Sequence, residues 1–324
     1  MKYLVYKYRS VGSLDSLARA LNISVTKLRA IAVNSEDFYV PNEPFIKPNG
    51  HIRQTYSVKE PLHSLQKNIL RKIISGVEFP EYLQGSIKDP NSPRDYVRDA
   101  NLHAGQEINL KEDISSFFSS TRVKLVYSVW KYFFNFPYEV AEVLTSLTTY
   151  KDFVPEGAPT SPAIANLVFW DREPELEYAL RKKSYVYSRY VDDITVSSSA
   201  RIEKKELESI TTKIYGMFIS AGLKPNRSKR KVQTKNTGMV VHNLNTSSGR
   251  STLPKSERFK IRAAVKELEI LAQSADSWEN IKKYYDEVSG RVNSMKRLHE
   301  KEAQKYIVKL KDIREQILSR KDTS

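Results

Sequence analysis

The chain has 324 residues and a formal net charge of +15, which predict two or three subdomains and favour a polyanionic partner. It contains no cysteine, which excludes disulfides and thiolate metal sites. Because it has neither a bilayer-length apolar run nor the pattern of a signal peptide at its start, we expect a cytoplasmic protein that does not engage a membrane.

The first predicted elements are two short helices within residues 1–36. Apolar residues recur at helical spacing over 14–21 and again over 28–31, and the polar stretch 22–24 interrupts them. Two helices around a tight turn resemble a helix-turn-helix motif. A packing role is the preferred interpretation, because short amphipathic helices also cap larger domains.

Residues 37–105 predict short extended pieces, one helix and a long loop. Pro48-Asn49-Gly50 lies between two short apolar runs and indicates a β-hairpin. Pro61 is typical of a helix start, and Gly76 marks the end of that helix. The segment 79–105 is rich in Pro, Asp, Asn and Arg and has little periodicity, which predicts an ordered loop.

The next part of the chain predicts a strand followed by helices. Apolar and polar residues alternate over 108–113, so we expect a strand that ends at Asp113. Amphipathic helices are expected over 123–134 and 137–147. The proline-rich stretch that follows forces a turn, and it predicts a helix with Ser161 as its N-cap.

An acidic pair, Asp192-Asp193, lies between two β-prone runs at 185–190 and 194–196. This pattern predicts a hairpin that carries two carboxylates at its tip. Adjacent carboxylates repel each other and are tolerated in water or beside a cation. On the dipeptide alone, a solvated turn is the commoner outcome, and a cation site is the alternative.

The rest of the chain is basic and helical in pattern. A helix is expected over 207–217 with Gly222 at its end, and from Pro254 onward the periodicity predicts a helical bundle. Between residues 224 and 262 there are eleven Lys or Arg and one acid, Glu257. A solvated basic face is the alternative, but this concentration next to the acidic hairpin favours nucleic-acid contact.

Four motifs in this order resemble the palm of reverse transcriptases, over roughly residues 45–241. They are Asp113 with Phe117-Phe118, PEGAPTSPAIAN at 155–166, YVDD at 190–193 and GLKPNRSK at 222–229. The resemblance implies an α+β fold: a right-hand polymerase with a fingers–palm unit, which has an antiparallel palm sheet plus helices, and an all-α thumb. It also implies an RNA-directed DNA polymerase.

The resemblance implies a catalytic site with two Mg²⁺ ions. Hard cations require oxygen ligands, and clustered carboxylates supply both ligands and charge. By analogy with the family, Asp113 and Asp192 bridge the metal ions, Asp193 supports them and Ile114 adds its backbone carbonyl. The predicted catalytic residues are therefore Asp113, Asp192 and Asp193.

Five further residues match family positions that contact the incoming nucleotide. Arg53 resembles the fingers arginine that grips the triphosphate, and Lys229 resembles the palm lysine that assists the pyrophosphate leaving group; either is otherwise a surface cation. Phe118 matches the aromatic that blocks a ribose 2′-hydroxyl, with core packing as the alternative. Glu156-Gly157 departs from the usual Gln-Gly, because Glu156 loses an amide donor and adds negative charge near a triphosphate.

Two elements are similar to those of bacterial retron reverse transcriptases. DANLH at 99–103 is one residue away from the retron Asn-Ala-x-x-His element, and NTG at 236–238 is one residue away from Val-Thr-Gly. The resemblance implies an enzyme that uses dNTPs to copy part of a cognate structured non-coding RNA. Its DNA product is branched multicopy single-stranded DNA, and the expected setting is antiphage defence with an effector protein as partner.

On this interpretation the chain divides into four parts. They are an N-terminal helical segment (1–36), fingers with a retron-type insertion (37–105), a palm with fingers elements (106–242) and an RNA-binding helical thumb (243–324). Two alternatives stay open: another bacterial reverse transcriptase, either intron-derived or of a non-retron defence type, and an RNA- and DNA-binding scaffold that restrains a toxic effector. The three intact aspartates favour catalysis, whereas Glu156 favours the scaffold.

Overall fold

The computed structural model describes residues 3–46, 50, 52–90, 92–274 and 277–321. Its strands are β1 (Val5–Tyr6), β2 (Tyr39–Pro41), β3 (Phe45–Ile46), β4 (Ile52–Arg53), β5 (Tyr56–Val58), β6 (Val77–Glu78), β7 (Ile108–Asp113), β8 (Val186–Tyr190), β9 (Asp193–Ser198), β10 (Lys231–Thr234), β11 (Val240–Val241) and β12 (Leu244–Asn245). Its helices are α1 (Leu14–Leu21), α2 (Val25–Val33), α3 (Leu62–Lys72), α4 (Tyr96–Leu102), α5 (Phe117–Ser120), α6 (Val123–Ser128), α7 (Tyr138–Thr148), α8 (Ser161–Leu167), α9 (Glu173–Arg181), α10 (Lys204–Ser220), α11 (Lys255–Ser274), α12 (Trp278–Lys296) and α13 (Glu300–Lys321). A π-helical turn, Val129–Phe133, continues α6.

A four-stranded antiparallel sheet in the order β10-β7-β9-β8 forms the centre of the fold. The strand predicted to end at Asp113 and the hairpin predicted around Asp192-Asp193 are both confirmed. The register pairs Asp113 with Asp193, and it also pairs Tyr190 with Asp193 across the hairpin. The acidic end of β7 and the acidic start of β9 therefore lie side by side at one end of the sheet.

The N-terminal helices pack into the same core as the central sheet. In α1, the Ser13 hydroxyl caps the first turn by accepting from a backbone N–H, and Asn22 ends the helix in the left-handed conformation. Leu17, Leu21 and Leu28 are at most 1% exposed and belong to the main apolar cluster. These burials confirm the packing role that the sequence favoured for α1 and α2.

The three C-terminal helices have an apolar core of their own, as predicted. Their buried side chains form a separate cluster that includes Ile261, Val288 and Leu310. A smaller cluster joins Val97 on α4 to Leu298, just beyond α12. In the described part of the chain, no helix is both long and apolar enough to cross a membrane.

Two local predictions were wrong. The segment 79–105 is not wholly a loop, because it contains α4, whose first turn is capped by the Asp95 carboxylate accepting from two backbone N–H groups. Ser161 is the first residue of α8 rather than its N-cap, and its hydroxyl donates to the Pro155 carbonyl at 2.6 Å. Of the predicted hairpin turn, Pro48 and Asn49 lie outside the described residues.

Candidate active site

A two-residue turn, Val191-Asp192, joins β8 to β9 and carries the acidic pair. Val191 has a φ of +59°, which is rare and costly for a β-branched residue, so the surroundings must hold it. Gly85 packs against this turn so closely that a Cβ there would lie 2.7 Å from Val191 Cγ2. Directly after the end of β7, the Ile114 N–H donates to the Asp192 carbonyl at 3.2 Å.

A buried ion pair lies directly beneath the turn. Arg189 donates from Nε and Nη2 to the two carboxylate oxygens of Glu173 at 2.7 and 2.8 Å, and both side chains are fully buried. The same guanidinium donates to the Val191 carbonyl at 3.0 Å and to the carbonyls of Ala165 and Asn166. Arg189 thus connects the strained turn to helices α8 and α9.

The three predicted catalytic aspartates influence one another electrostatically. Burial, together with the negative charges of Asp193 and Asp113, raises the pKa of Asp192 to about 6. Burial also raises the pKa of Asp113, against a hydrogen bond and a positive charge from Lys229. A bound cation would relieve both effects, because it would replace the lost hydration and offset the repulsion.

The side chains at this end of the sheet supply oxygen atoms, which are the type of ligand that a hard divalent cation binds. Asp113 is 3% exposed, and within the described residues its Oδ1 atom is buried without a hydrogen-bond partner. Its Oδ2 atom accepts from Lys229 Nζ at 2.7 Å. In this arrangement, no group of three or more acidic or histidine side chains among the described residues is drawn together tightly enough to hold a metal ion.

Lys229 reaches Asp113 because a backbone strap holds the preceding residues against β7. The Ser115 N–H donates to the Lys224 carbonyl at 2.8 Å, and the Asn226 N–H donates to the Asp113 carbonyl at 2.7 Å. A 3₁₀ turn, Arg227–Lys229, then directs the ammonium group toward the carboxylate. The structure therefore brings the predicted lysine to the predicted aspartate.

The two phenylalanines after the strand have different environments. Phe117 is 3% exposed and stacks on Phe169, with ring centroids 6.1 Å apart and planes at 3°. Phe118 is half-buried and lies at the edge of the main core. Of the pair, Phe118 is the one whose ring stays accessible to a ligand.

Arg53 on β4 and Glu156 form an ion pair that is close enough to the acidic turn to sense the charge of Asp192. Arg53 Nε donates to Glu156 Oε1 at 2.7 Å, and Nη2 donates to the same oxygen. The hydrogen bond to Glu156 raises the pKa of Arg53, and the negative charges of Glu156 and Asp192 also raise it against the effect of burial. Arg53 therefore lies within the electrostatic field of the acidic cluster.

Gly157 allows the backbone beside Glu156 to approach β5. Its φ is +104°, and a Cβ at this position would lie 2.7 Å from the Tyr56 carbonyl oxygen. The Tyr56 N–H donates to the Glu156 carbonyl at 2.8 Å. Any side chain at residue 157 would push the turn and β5 apart.

Sequence reasoning found the DANLH element but gave it no structural role. His103 places one ring nitrogen 2.7 Å from the Ser197 hydroxyl and the other 2.8 Å from the Ser188 hydroxyl, so it joins β9 to β8. Burial lowers the pKa of His103 to about 4, so the ring is neutral. Asp99 lies on α4 and His103 is the residue that follows this helix, so the four-residue spacing between them was the available signal that the element has a structural role.

Asp99 connects the same helix to the tyrosine of the acidic hairpin. Its Oδ2 atom lies 2.6 Å from His242 Nε2. The His242 ring contacts the Tyr190 ring at a centroid distance of 4.5 Å. Arg189 and Glu173 were also missed. The signal for Arg189 was a charged residue inside an otherwise β-prone run, whereas Glu173 lies on α9.

Comparisons with known proteins agree with this geometry. The profile of the reverse transcriptase (RNA-dependent DNA polymerase) family matches residues 6–271. The chain therefore belongs to the reverse transcriptase family and is an RNA-directed DNA polymerase of the retron type. As in that class, an RNA template, dNTPs and a DNA product are its reaction partners.

Two retron enzymes illustrate the likeness. The chain is 33% identical over 302 residues to the Retron Ec48 reverse transcriptase of Escherichia coli, and the match covers 90% of this chain and 74% of that protein. It is 31% identical over 295 residues to the Retron Se72 reverse transcriptase of Salmonella heidelberg, and that match covers 89% and 76%. Both confirm the predicted retron resemblance.

Proposed function

We propose that this chain copies part of a cognate structured non-coding RNA into branched multicopy single-stranded DNA in the cytoplasm. The observation that carries the proposal is the meeting of Asp113, Asp192 and Asp193 at one end of the central sheet. It occurs in a chain that is similar to retron reverse transcriptases along most of its length. DNA synthesis from dNTPs on an RNA template is the chemistry that such a site supports.

We assign the elements to a right-hand polymerase. The sheet belongs to a palm at 106–242, with the fingers and the retron-type insertion at 37–105 and the N-terminal helical segment at 1–36 packed beside them. The separate core of α11, α12 and α13 supports a thumb at 243–324. Its basic helices suit the shape and backbone of the cognate RNA.

In this proposal Asp113 and Asp192 would hold two Mg²⁺ ions, with Asp193 beside them and the Ile114 carbonyl as a further oxygen ligand. When bound, such ions would help to activate the attacking 3′-hydroxyl and would stabilise charge on the leaving oxygens. The chain contributes a rigid turn, held by Gly85 and Arg189, that keeps the carboxylates in place.

Four residues are assigned to the nucleotide. Arg53 binds the triphosphate through its guanidinium, and Gly157 brings the neighbouring turn against the fingers. Phe118 lies against the sugar and excludes a 2′-hydroxyl. Lys229, which donates to Asp113, is placed to give a proton from Nζ to the leaving pyrophosphate.

The test uses the full chain purified with the RNA that it binds in cells. Asp192→Asn and Asp193→Asn are expected to abolish DNA attached to that RNA, because each change removes a carboxylate from the site. Asp171→Asn serves as the matched control, since its side chain is half exposed and pairs with its neighbour Arg172. Wild-type DNA yield from the Asp192 variant would overturn the proposal.

We further propose that the RNA–DNA product restrains an effector protein in antiphage defence. The contact between Glu156 and Arg53 favours the second candidate, a scaffold with little synthesis, because it occupies a residue assigned to the triphosphate. Co-expression of Asp192→Asn with the protein encoded beside it separates the two. If restraint of the effector requires DNA, restraint is lost in this variant. If restraint persists, the scaffold function is favoured.

An intron-derived or non-retron defence enzyme is distinguished from a retron by the neighbouring DNA. A retron predicts a short structured RNA flanked by inverted repeats next to the coding sequence. Absence of such an RNA, together with synthesis on other templates, would favour the other branches.

A further inference from the structure

The ion pair between Arg53 and Glu156 occupies a residue that the proposed function assigns to the nucleotide. The Arg53 side chain is 50% exposed and the Glu156 side chain is 24% exposed, so the pair faces open solvent. Both donor contacts of Arg53 go to one oxygen, Oε1 of Glu156. This geometry leaves the guanidinium reachable by a second anion.

Backbone contacts hold in place the turn that carries Glu156. The hydrogen bond from the Tyr56 N–H to the Glu156 carbonyl and the close approach at Gly157 hold this turn against β5. Arg53 follows Ile52 on β4 and lies three residues before Tyr56, which makes the backbone contact. Both members of the ion pair therefore lie on, or next to, chain segments that these backbone contacts hold together.

A guanidinium uses the same donor fork for a carboxylate and for a phosphate. A triphosphate that binds Arg53 must displace the Glu156 carboxylate or lie beside its negative charge, and each of these costs free energy. Asp192 adds to the negative field around Arg53. Glutamine, the usual residue at this point in the family, would keep the acceptor oxygen without the charge.

We propose that Glu156 is an internal competitor of the nucleotide triphosphate for Arg53. The proposal rests on the assignment of Arg53 to the triphosphate. Glu156 weakens nucleotide binding and has little effect on the chemical step, so it raises the dNTP concentration at which DNA synthesis reaches half of its maximal rate. It thereby makes synthesis by this enzyme responsive to the supply of dNTPs.

The experiment measures steady-state DNA synthesis by the full chain on an RNA template with a DNA primer, over a range of dNTP concentrations. Glu156→Gln is expected to lower KM for dNTP by about three- to fivefold, the size of an exposed ion pair, while kcat stays within about twofold. Inorganic tripolyphosphate is expected to inhibit the variant more strongly by a similar factor. An unchanged or higher KM would overturn the proposal.

Asp152→Asn is the matched control. Asp152 lies on the same segment, forms an exposed ion pair with Arg122 at 2.7 Å, and its neutralisation changes the net charge by the same amount. KM in this variant is expected to equal that of the wild type. A decrease equal to that of Glu156→Gln would show a general charge effect and overturn the proposal.

A double-mutant cycle separates competition from a merely structural effect. In an Arg53→Gln background, Glu156→Gln is expected to leave KM unchanged, because the competitor acts only through Arg53. If Arg53→Gln alone leaves KM unchanged, the triphosphate does not use Arg53 and the competition is excluded. DNA synthesis by Asp192→Asn would instead contradict the proposed function, independently of the competition between Glu156 and the triphosphate.

Discussion

Two arginine–glutamate pairs flank the acidic turn, and they differ in almost every physical respect. Arg189 and Glu173 are both 0% exposed beneath the turn, whereas Arg53 and Glu156 are 50% and 24% exposed beside it. The buried guanidinium is bound by two carboxylate oxygens and by backbone carbonyls. The exposed one is bound through a single carboxylate oxygen.

The difference shows how one chemical pair serves two purposes. A buried pair has lost its hydration, so neither partner can leave without an uncompensated charge in the interior. An exposed pair loses little when it opens, because water solvates both groups. The first pair is therefore suited to holding the turn at Val191 in a strained conformation, and the second is suited to exchanging a carboxylate for a phosphate.

The largest effect is expected from breaking the buried pair. Glu173→Gln leaves the Arg189 charge without its counter-ion and should lower the free energy of unfolding by about 3–5 kcal/mol. Urea denaturation followed by circular dichroism measures this loss. DNA synthesis is expected to fall with it, because the Val191 carbonyl loses a rigid donor.

Glu175→Gln is the control for Glu173→Gln, since Glu175 lies on the same helix and is exposed to solvent. Its loss of stability is expected to be about 1 kcal/mol or less. Replacing both buried partners, as Glu173→Leu with Arg189→Met, should recover part of the stability without recovering activity. Equal losses of stability for Glu173→Gln and Glu175→Gln would contradict the distinction between buried and exposed charges.

A smaller and opposite effect is expected at Asp192. Its pKa is about 6 in the folded chain against an ordinary value of 3.8, so the folded state binds the proton more tightly and stability falls as pH rises through this range. Asp192→Asn should therefore be more stable than the wild type by roughly 2 kcal/mol at pH 8 and equal to it near pH 4. Urea titrations at several pH values, without divalent cations, measure this difference.

Added Mg²⁺ sharpens the Asp192 prediction. The ion should stabilise the wild type at pH 8 and have a much smaller effect on Asp192→Asn, because the variant lacks one of the oxygen ligands. If the stabilities of the two proteins change with pH in the same way, the charged Asp192 carboxylate is not the source of the destabilisation at high pH.

An intermediate effect on stability is expected at Phe118. Because its ring is half-buried, Phe118→Ala should lower the free energy of unfolding by about 1–2 kcal/mol, less than truncation of a fully buried Phe. Incorporation of ribonucleotides relative to deoxyribonucleotides should rise, since the ring no longer blocks the 2′-hydroxyl. Unchanged sugar discrimination, measured on one template with both substrates, would assign Phe118 to packing alone.

Local patterns explain which parts of this structure could be predicted from the sequence. The strand that ends at Asp113 and the hairpin at 185–196 follow from alternation and a short turn, which depend on near neighbours. Pairing of Asp113 with Asp193 depends on strand register between distant segments, and only the order of the family motifs indicated it. The site was thus predictable through resemblance rather than through periodicity.

The contacts that support the site could not be predicted in the same way. Arg189 lies in a β-prone run, but its partner Glu173 is chosen by the packing of α9 on the sheet. Helix α4 was missed because it is short and follows a Pro- and Asp-rich segment whose turn signals dominate. Glu156 was identified as a departure from the family, but its contact with Arg53 depends on how β4 folds over the turn.

The smallest effect on stability is expected at the exposed pair. Glu156→Gln keeps an acceptor oxygen for Arg53 and removes one solvated charge, so the free energy of unfolding should change by about 0.5 kcal/mol or less. Urea denaturation of this variant beside Glu173→Gln tests both pairs in one experiment. A loss of several kcal/mol in Glu156→Gln would mean that the exposed pair holds the fold, and a triphosphate could not then displace it at low cost. A negligible loss together with a lower KM is the combination that only an exchangeable pair predicts.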